Sequence, residues 1–542
     1  MTMKDMAPKT MIEALLNGFN FYPQQTAIYY YDTQWSLHEL VQQIEHVAGG
    51  LKVLGVKPKD RVAVMCQNMP AYVVVCFAIW ALGGTVVPLN IMLKAEEIRK
   101  EIEDAGAMGI VALESSLLQI PEDVMLGRFG VSISDWQDFE GEAPHFLPRI
   151  QDSLDGPKTT TWTAYRDLWA FTPWTHDLWI TGSPDDVALL TYTSGTTGPS
   201  KAAMNTHEQL LHSAHIYERL AQLNENDVNV VFAPLFHITG AVAGMAVSIR
   251  VRMPMVLLYR FDADVALKAL IRHRGTFTVG AITTYLALLN HSHIEDVDLS
   301  HFAKAYSGGA PVASAVVERF EKVTGCYIYN VYGLTESANG IVITPWGERA
   351  PVDPDSGALS VGKVGPGISA EIRNLEDRNH VLEANRVGEL VLQGPSITRG
   401  YWQKPEETRH AFRDGWFFTG DVAKIDEAGW IYIIDRKKDL IITSGNKVWP
   451  RDVEDALYLH PAVKQVSVVG LPDSYRGEAV TAFIVVKDGF HPSEEELIVF
   501  ARERLATYKV PRRIIWVDEI PTTPTGKFLR RYLREKFGGM LA

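Results

Sequence analysis

Short apolar runs alternate with helical patterns between about residue 20 and residue 290. The runs at 61–65, 108–113 and 255–259 predict buried strands, because each is short and rich in aliphatic residues. The segment 95–104 has a helical pattern. Strands that alternate with helices in this way predict parallel sheets covered by helices, which is an α/β fold.

One apolar stretch, 71–89, has no charged residue and is long enough to span a bilayer. A buried helix followed by a core strand explains it better. Pro70 suits a helix start, Gly83 and Gly84 break the pattern, and residues 85–89 have a strand pattern. No integral membrane span is predicted, and a membrane-embedded protein is an alternative that rests on this stretch alone.

The length of 542 residues predicts two or three domains, since one ordinary core does not grow so large. The segment 130–182 is irregular and carries no readable motif. From about residue 360 the pattern becomes richer in strands and turns. After residue 440 come a helix at 450–459, strands at 463–470 and 480–486, a second helix and a basic tail. This last part is large enough to be a small α+β domain.

Composition excludes some partners and compartments. The net charge of −13 argues against a nucleic-acid partner, which would need a basic face. The three cysteines form no CxxC pair, and the first residues lack the apolar core of a secretory signal, so a cytoplasmic location is expected. The sequence HEQLLH places His207 and His212 five residues apart, on different sides of a helix, which argues against a shared zinc ion.

The stretch TYTSGTTGPSK, at 191–201, places glycines, hydroxyl groups and a lysine directly after an apolar run. Gly195 and Gly198 allow backbone N–H groups to approach an anion, and Lys201 adds a positive charge. A polyphosphate fits this set of donors. The spacing matches neither a Walker A loop nor a dinucleotide-binding GxGxxG motif, and a plain surface loop is the alternative for this stretch alone.

Seven further motifs follow this loop. They are PLFHITG at 234–240, YSGGAP at 306–311, VYGLTES at 331–337, GELVLQGPSITRGYW at 388–402, TGD at 419–421, DRKKDLIITSGNKVWP at 435–450 and PTTPTGK at 521–527. With these motifs in this order, nearly the whole chain resembles the adenylate-forming superfamily of acyl-CoA synthetases, luciferases and peptide-synthetase adenylation domains. One departure is Pro199-Ser200-Lys201-Ala202, where the family usually has Pro-Lys-Gly; the lysine spacing is kept.

The resemblance implies a large N-terminal domain of parallel sheets covered by helices, with a β-rich subdomain, and a small mobile α+β C-terminal domain. The implied boundaries are 1–434 for the AMP- and acyl-binding domain, 435–439 for a hinge and 440–542 for the mobile domain. It also implies the substrates ATP and coenzyme A, with Mg²⁺.

The resemblance assigns nucleotide-binding roles to two groups of residues. The phosphate loop comprises Thr193, Ser194, Gly195, Thr196, Thr197, Gly198 and Lys201. The adenosine side comprises Gly308, Gly309, Ala310, Tyr332, Gly333, Asp421 and Arg436. Tyr332 has a flat face for adenine, and Asp421 can accept hydrogen bonds from ribose hydroxyls. Without the resemblance, Tyr332 is ordinary core and Asp421 an ordinary turn residue.

Catalytic roles follow in the same way. Glu336 is implied as a Mg²⁺ ligand, with Thr335 near the phosphates, because hard cations prefer carboxylate oxygens. Lys527 is implied to bridge the attacking carboxylate and the α-phosphate. Lys438 marks the implied hinge, and Gly445 permits close approach beside a pantetheine channel. Without the resemblance each of these would be a solvated residue or a turn.

The acyl pocket is implied at His237, Ile238, Gly280, Thr283 and Gly308. Amino-acid-activating members usually place Asp where this chain has His237, so the histidine disfavours an amino-acid substrate. Small and apolar residues such as Ala241, Ala243 and Gly244 leave room for an aliphatic or aryl tail, and VGAITTYLALLNH at 279–291 resembles the fatty-acyl branch of the family. The resemblance thus implies a medium- or long-chain fatty acid, converted to acyl-CoA with release of AMP and pyrophosphate. Alternatives are an aryl-acid (benzoate- or coumarate-type) CoA ligase, a luciferase-like member and a non-catalytic acyl- or nucleotide-binding protein. Peripheral membrane contact and a homodimer are left open.

Overall fold

The structure is a computed structural model that describes residues 7–142, 144–147, 162–193, 200–310, 312–436, 439–444, 446–473, 476–522 and 528–538. Side chains of Arg436 and Lys447 fall outside the description. The predicted α/β class with a smaller C-terminal α+β part is confirmed, since mixed sheets and helices precede a separate C-terminal sheet.

Two mixed sheets form the N-terminal part of the described chain. The large sheet contains, from edge to edge, Lys363–Val364, Asn339–Ile343, Ile328–Leu334, Lys304–Gly308, Phe277–Gly280, Asn229–Val231, Met255–Leu257, Thr26–Tyr30 and Thr33–Ser36. The second sheet contains Trp162–Ala164, Phe129–Ile133, Gly109–Leu113, Arg61–Met65, Thr85–Pro88, Val187–Tyr192 and Ala202–Thr206. In the large sheet the strands from Ile328–Leu334 to Thr26–Tyr30 pair in parallel, and in the second sheet the strands from Trp162–Ala164 to Val187–Tyr192 do so, as predicted from the alternation of strands and helices.

Helices cover these sheets, and several begin at a side-chain cap. Ser36 and Glu39 form a reciprocal capping box at one helix start, and Thr206 and Gln209 form another. The α-helices of this part are Met11–Phe21, Leu37–Val53, Pro70–Ala81, Ala95–Ala105, His207–Leu220, Val247–Val251, Ala263–Arg272, Ile282–Leu289, Ser314–Thr324 and Pro405–Ala411. Gly240–Ala246 is π-helical, and it runs directly into Val247–Val251.

The uncharged stretch 71–89 folds as predicted, into the helix Pro70–Ala81 and the strand Thr85–Pro88. Every residue of this helix is buried in the protein, which explains the lack of charge without lipid. Within the part of the chain that the structure describes, no helix has the length and apolar character needed to cross a membrane.

The described residues of the segment 130–182 are less irregular than predicted. Phe129–Ile133 and Trp162–Ala164 are strands that extend the second sheet to its edge. Strands this short leave too few residues for a periodic pattern, and they are stabilised by pairing with a neighbour that the local sequence does not reveal.

Two antiparallel arrangements follow. The β-rich part contains Ser369–Arg373, Gly388–Gln393, Trp416–Ile425, Phe412–Arg413 and Ile431–Arg436. The C-terminal sheet contains Asn446–Val448, Ile441–Thr443, Gly477–Val486 and Val463–Asp473, with Arg513–Trp516 added in parallel. Helices Pro450–Tyr458, Glu494–Arg502 and Arg530–Gly538 accompany it. Apolar residues between 441 and 537 pack into two clusters of their own.

Candidate active site

Four adjacent parallel strands bring distant motifs to one edge of the large sheet. In spatial order they are Ile328–Leu334, Lys304–Gly308, Phe277–Gly280 and Asn229–Val231. Ligands bind open α/β sheets outside the carboxyl ends of such strands. Residues predicted for the nucleotide and for the acyl group lie at or just after these ends, so the structure places both groups on the same edge.

Five of the seven predicted adenosine-side residues, Gly308, Gly309, Ala310, Tyr332 and Gly333, lie at or just after two neighbouring strand ends. Gly308 is opposite Val331 in the register, and a Cβ on Gly308 would lie 2.7 Å from the Val331 carbonyl oxygen. Gly333 is packed still closer, since a Cβ there would lie 1.8 Å from the Asn339 carbonyl oxygen. Only glycine fits such approaches. Gly309 and Ala310 follow directly in the loop after Gly308.

A hydrogen bond joins two predicted ribose and adenine residues that are far apart in the chain. The Tyr332 hydroxyl donates to Asp421 Oδ2 at 2.6 Å, and Asp421 is buried. The backbone of Asp421 is opposite Arg436 in the antiparallel register. The predicted adenosine-side residues Tyr332, Asp421 and Arg436 therefore converge, although the side chain of Arg436 lies outside the description.

Two hydrogen bonds join the residues at the two ends of the predicted phosphate loop. The Thr193 N–H donates to the Lys201 carbonyl oxygen at 2.9 Å, and the Ser200 hydroxyl donates to the Thr193 carbonyl oxygen at 2.6 Å. Ser200 is part of the departure from the family pattern, and its hydroxyl provides one of these two hydrogen bonds. The predicted loop residues outside the described part are Ser194, Gly195, Thr196, Thr197 and Gly198.

Glu336 lies in the short turn Thr335–Ser337 and is 9% exposed. Its Oε1 accepts a hydrogen bond from the Tyr401 hydroxyl at 2.7 Å. Among the described residues no group of three or more His, Cys, Asp or Glu side chains could hold a metal ion. A single buried carboxylate instead fits Mg²⁺, which commonly binds one or two carboxylates together with substrate phosphates and water.

On the acyl side, His237 follows the strand Asn229–Val231 and is partly exposed. The Thr239 N–H donates to His237 Nδ1 at 3.2 Å. Ile238 is buried, and the π-helical turns after it are lined by small and apolar residues. Gly280 ends its strand opposite Ser307, and Thr283 lies in the first turn of the next helix.

Three predicted catalytic residues, Lys438, Gly445 and Lys527, lie outside the described residues. The structure also shows residues that sequence reasoning did not assign. Tyr401 contacts Glu336, and Asp104 accepts hydrogen bonds from Tyr192 at 2.9 Å and from Lys404 at 2.6 Å. Tyr401 lies in the motif GELVLQGPSITRGYW at 388–402, but nothing in the sequence indicates that it contacts Glu336.

Glu101 is buried on the helix Ala95–Ala105, close to Asp104 and Glu97. Burial, with a smaller contribution from these two carboxylates, raises the pKa of Glu101 to about 8. Since this pKa is above that of the unfolded chain, the folded state binds more protons between the two values, and stability falls as pH rises through this window.

Replacing Glu101 with glutamine is expected to raise the free energy of unfolding at pH 8 by on the order of 2 kcal/mol, and to have little effect near pH 5. Urea unfolding at both pH values measures this difference. Glu103→Gln, on the exposed face of the same helix, is the matched control and is expected to change neither value. An equal effect of Glu101→Gln on the free energy of unfolding at both pH values would contradict the raised pKa of Glu101.

Comparison with known proteins identifies the relatives of this chain. The family model described as AMP-binding enzyme matches residues 18–402, and that described as AMP-binding enzyme C-terminal domain matches residues 452–527. A long-chain-fatty-acid–CoA ligase of Bacillus subtilis (strain 168) is 36% identical over 97% of this chain and 94% of its own. A feruloyl-CoA synthase of an Amycolatopsis species is 33% identical over 95% of this chain and 96% of its own.

A solved structure has the same fold over nearly the full length. ATP-bound MatB from Rhodopseudomonas palustris superposes with a TM-score of 0.85 and is 28% identical, covering 99% of this chain and 100% of its own. Similarity of this extent includes both the large N-terminal part and the C-terminal sheet.

Proposed function

The chain belongs to the AMP-binding enzyme family and is an AMP-forming CoA ligase that uses ATP, Mg²⁺ and coenzyme A, and from that premise we propose that the acid it activates is a medium- or long-chain fatty acid. Two observations support this substrate. A relative at 36% identity is a long-chain-fatty-acid–CoA ligase. His237, rather than a carboxylate, stands beside small and apolar residues, which suits an uncharged tail.

The observation that carries the proposal is the common sheet edge shared by the nucleotide and acyl residues. There the fatty carboxylate oxygen attacks the α-phosphorus of ATP, the bond to the leaving diphosphate breaks, and acyl-AMP and pyrophosphate form. The sulfur of coenzyme A then attacks the acyl carbonyl carbon. The carbon–oxygen bond to AMP breaks, and the thiol proton passes to solvent. Positioning and electrostatics supply most of the rate enhancement in such reactions.

We assign the residues as follows in this proposal. Tyr332 and Asp421 hold adenosine, and Lys201 with the loop before it holds the phosphates. Glu336 is the protein ligand of Mg²⁺, which when bound neutralises charge on the phosphate oxygens. Lys527 lies between the carboxylate and the α-phosphate, where its charge offsets the repulsion of two anions.

We also propose the division into 1–434, a hinge at 435–439 and 440–542. The separate apolar clusters between residues 441 and 537 support it. Rotation at the hinge would withdraw Lys527 after adenylation and bring Gly445 to the thiol path. A cytoplasmic location is part of the same proposal, because ATP and coenzyme A are available there. Peripheral membrane contact and a homodimer stay predictions.

Replacing Lys438 with proline is expected to leave adenylation largely intact and to abolish thioester formation, because proline restricts φ at the proposed hinge. Pyrophosphate release and thioester formation measure the two steps separately. Lys438→Ala removes the same charge without restricting the backbone, and should retain thioester formation. Normal thioester turnover in the proline variant would refute the hinge.

A panel of acids tests the substrate. We expect kcat/KM for thioester formation to rise roughly fourfold with each added methylene until the channel is filled, because a buried methylene contributes about 0.8 kcal/mol. Straight-chain acids from butyrate to oleate are compared with benzoate, coumarate and ferulate, and AMP, pyrophosphate and thioester are measured. Preference for ferulate would favour the aryl-acid alternative, for which the 33% identical feruloyl-CoA synthase is the specific support.

A further inference from the structure

The segment Thr398 to Lys404, here called the clasp, packs against the strand that follows the phosphate loop. The Trp402 backbone N–H donates to the Ala202 carbonyl oxygen at 2.8 Å, and the Met204 backbone N–H donates to the Gly400 carbonyl oxygen at 3.2 Å. The clasp therefore continues the second sheet beyond the strand Ala202–Thr206 through an isolated antiparallel bridge between Ala203 and Tyr401.

The other side of the clasp holds the turn that carries Glu336. The Thr398 N–H donates to the Glu336 carbonyl oxygen at 2.7 Å, and the Tyr401 hydroxyl donates to Glu336 Oε1 at 2.7 Å. At its far end, Lys404 Nζ donates to Asp104 Oδ1 at 2.6 Å, and the same carboxylate accepts from the Tyr192 hydroxyl. The clasp thus joins the Glu336 turn to the two strands that flank the phosphate loop, Val187–Tyr192 and Ala202–Thr206.

Tyr401 is the member of the clasp whose side chain contacts two predicted phosphate-side residues. It is 8% exposed, and Lys201 Nζ lies 5.3 Å from the centroid of its ring. In the hydrogen bond between them the Tyr401 hydroxyl is the donor and the Glu336 carboxylate is the acceptor. A donor fixed on Oε1 sets the rotation of the Glu336 carboxylate.

We propose that Tyr401 is a positioning residue, whose hydroxyl fixes the Glu336 carboxylate in the orientation that binds Mg²⁺ of the Mg·ATP complex. Groups that hydrogen-bond to a metal-ligating carboxylate orient it, and their loss typically costs about 10–100-fold in metal affinity or activity. The inference rests on the proposed role of Glu336 as the metal ligand.

The test measures binding of α,β-methylene-ATP to the full-length protein by titration calorimetry, in Mg²⁺ and in EDTA. The analogue cannot be cleaved between the α- and β-phosphorus, so no turnover interferes. Tyr401→Phe should weaken analogue binding about 10-fold in Mg²⁺ and leave it unchanged in EDTA. The matched control is Tyr432→Phe, which also deletes a hydroxyl-to-carboxylate hydrogen bond, that to Asp426 at 2.9 Å. It should change neither value.

A steady-state assay measures the Mg²⁺ concentration that half-saturates pyrophosphate release. Tyr401→Phe should raise this concentration by about 10-fold and should leave kcat at saturating Mg²⁺ largely unchanged. Equal weakening of analogue binding in Mg²⁺ and in EDTA would show a merely structural role for Tyr401 and would overturn the proposal. Unchanged analogue binding in both conditions would overturn it as well. Failure of the proposed fatty-acid substrate gives a different result, since wild-type protein would then still bind the analogue more tightly in Mg²⁺ than in EDTA but would release no pyrophosphate with fatty acids.

Discussion

Lys527→Ala is expected to slow acyl-adenylate formation by about 10²–10³-fold, because one preorganised charged donor at the reacting anions contributes that much to the rate. Thioester formation from supplied acyl-AMP should be largely intact, since the proposed rotation removes Lys527 from the site before the thiol step. The two half-reactions are measured separately, as fatty-acid-dependent pyrophosphate release and as conversion of acyl-AMP to acyl-CoA.

The control for this experiment is Lys536→Ala, which removes an exposed lysine from the C-terminal helix Arg530–Gly538. It should affect neither half-reaction. Equal loss of both half-reactions in Lys527→Ala would mean that the lysine supports the fold or both steps alike, and it would refute an exchange of residues between the two reactions.

Local patterns were sufficient for those elements whose residues face one environment throughout. The helix Pro70–Ala81 and the strand Thr85–Pro88 were predicted because Pro70 and two glycines mark their ends and every residue between is apolar. The strand Val463–Asp473 is longer than predicted. Its extra residues pair with the start of Gly477–Val486 in a hairpin, and pairing does not depend on the apolar pattern that the prediction used.

Contacts within the site were harder to predict, because they join residues that are far apart in sequence. Motif order placed Tyr332 and Asp421 near the same nucleotide, but it could not indicate that one donates a hydrogen bond to the other. Tyr401 and Glu336 are 65 positions apart, and their contact depends on how the clasp pairs with the strand Ala202–Thr206. Such geometry is set by sheet order, which a single sequence does not specify.

A buried ion-pair cluster joins the proposed hinge to the end of the chain. Arg530 is 17% exposed, and its guanidinium lies 2.7 Å from Glu454, 3.5 Å from Asp435 and 3.5 Å from Asp439. Asp439 is also 2.9 Å from Arg534. Asp435 and Asp439 are the first and last residues of the proposed hinge, so Arg530 neutralises carboxylates at both of its ends.

Arg530→Met is expected to lower the free energy of unfolding by about 3–5 kcal/mol, because it removes the one guanidinium that Asp435, Glu454 and Asp439 share in a poorly solvated site. Three carboxylates share this guanidinium, so their mutual repulsion adds to the loss. Urea unfolding followed by tryptophan fluorescence measures the change.

Arg531→Met is the matched control, since its exposed pair with Glu535 should contribute no more than about 1 kcal/mol. A triple replacement of Asp435, Asp439 and Glu454 by their amides in the Arg530→Met background should recover much of the lost stability, because it removes the repulsion along with the unpaired charge. Lack of recovery would mean that Arg530 stabilises the C-terminal helix by packing of its alkyl chain, and not by holding the charges at the two ends of the hinge.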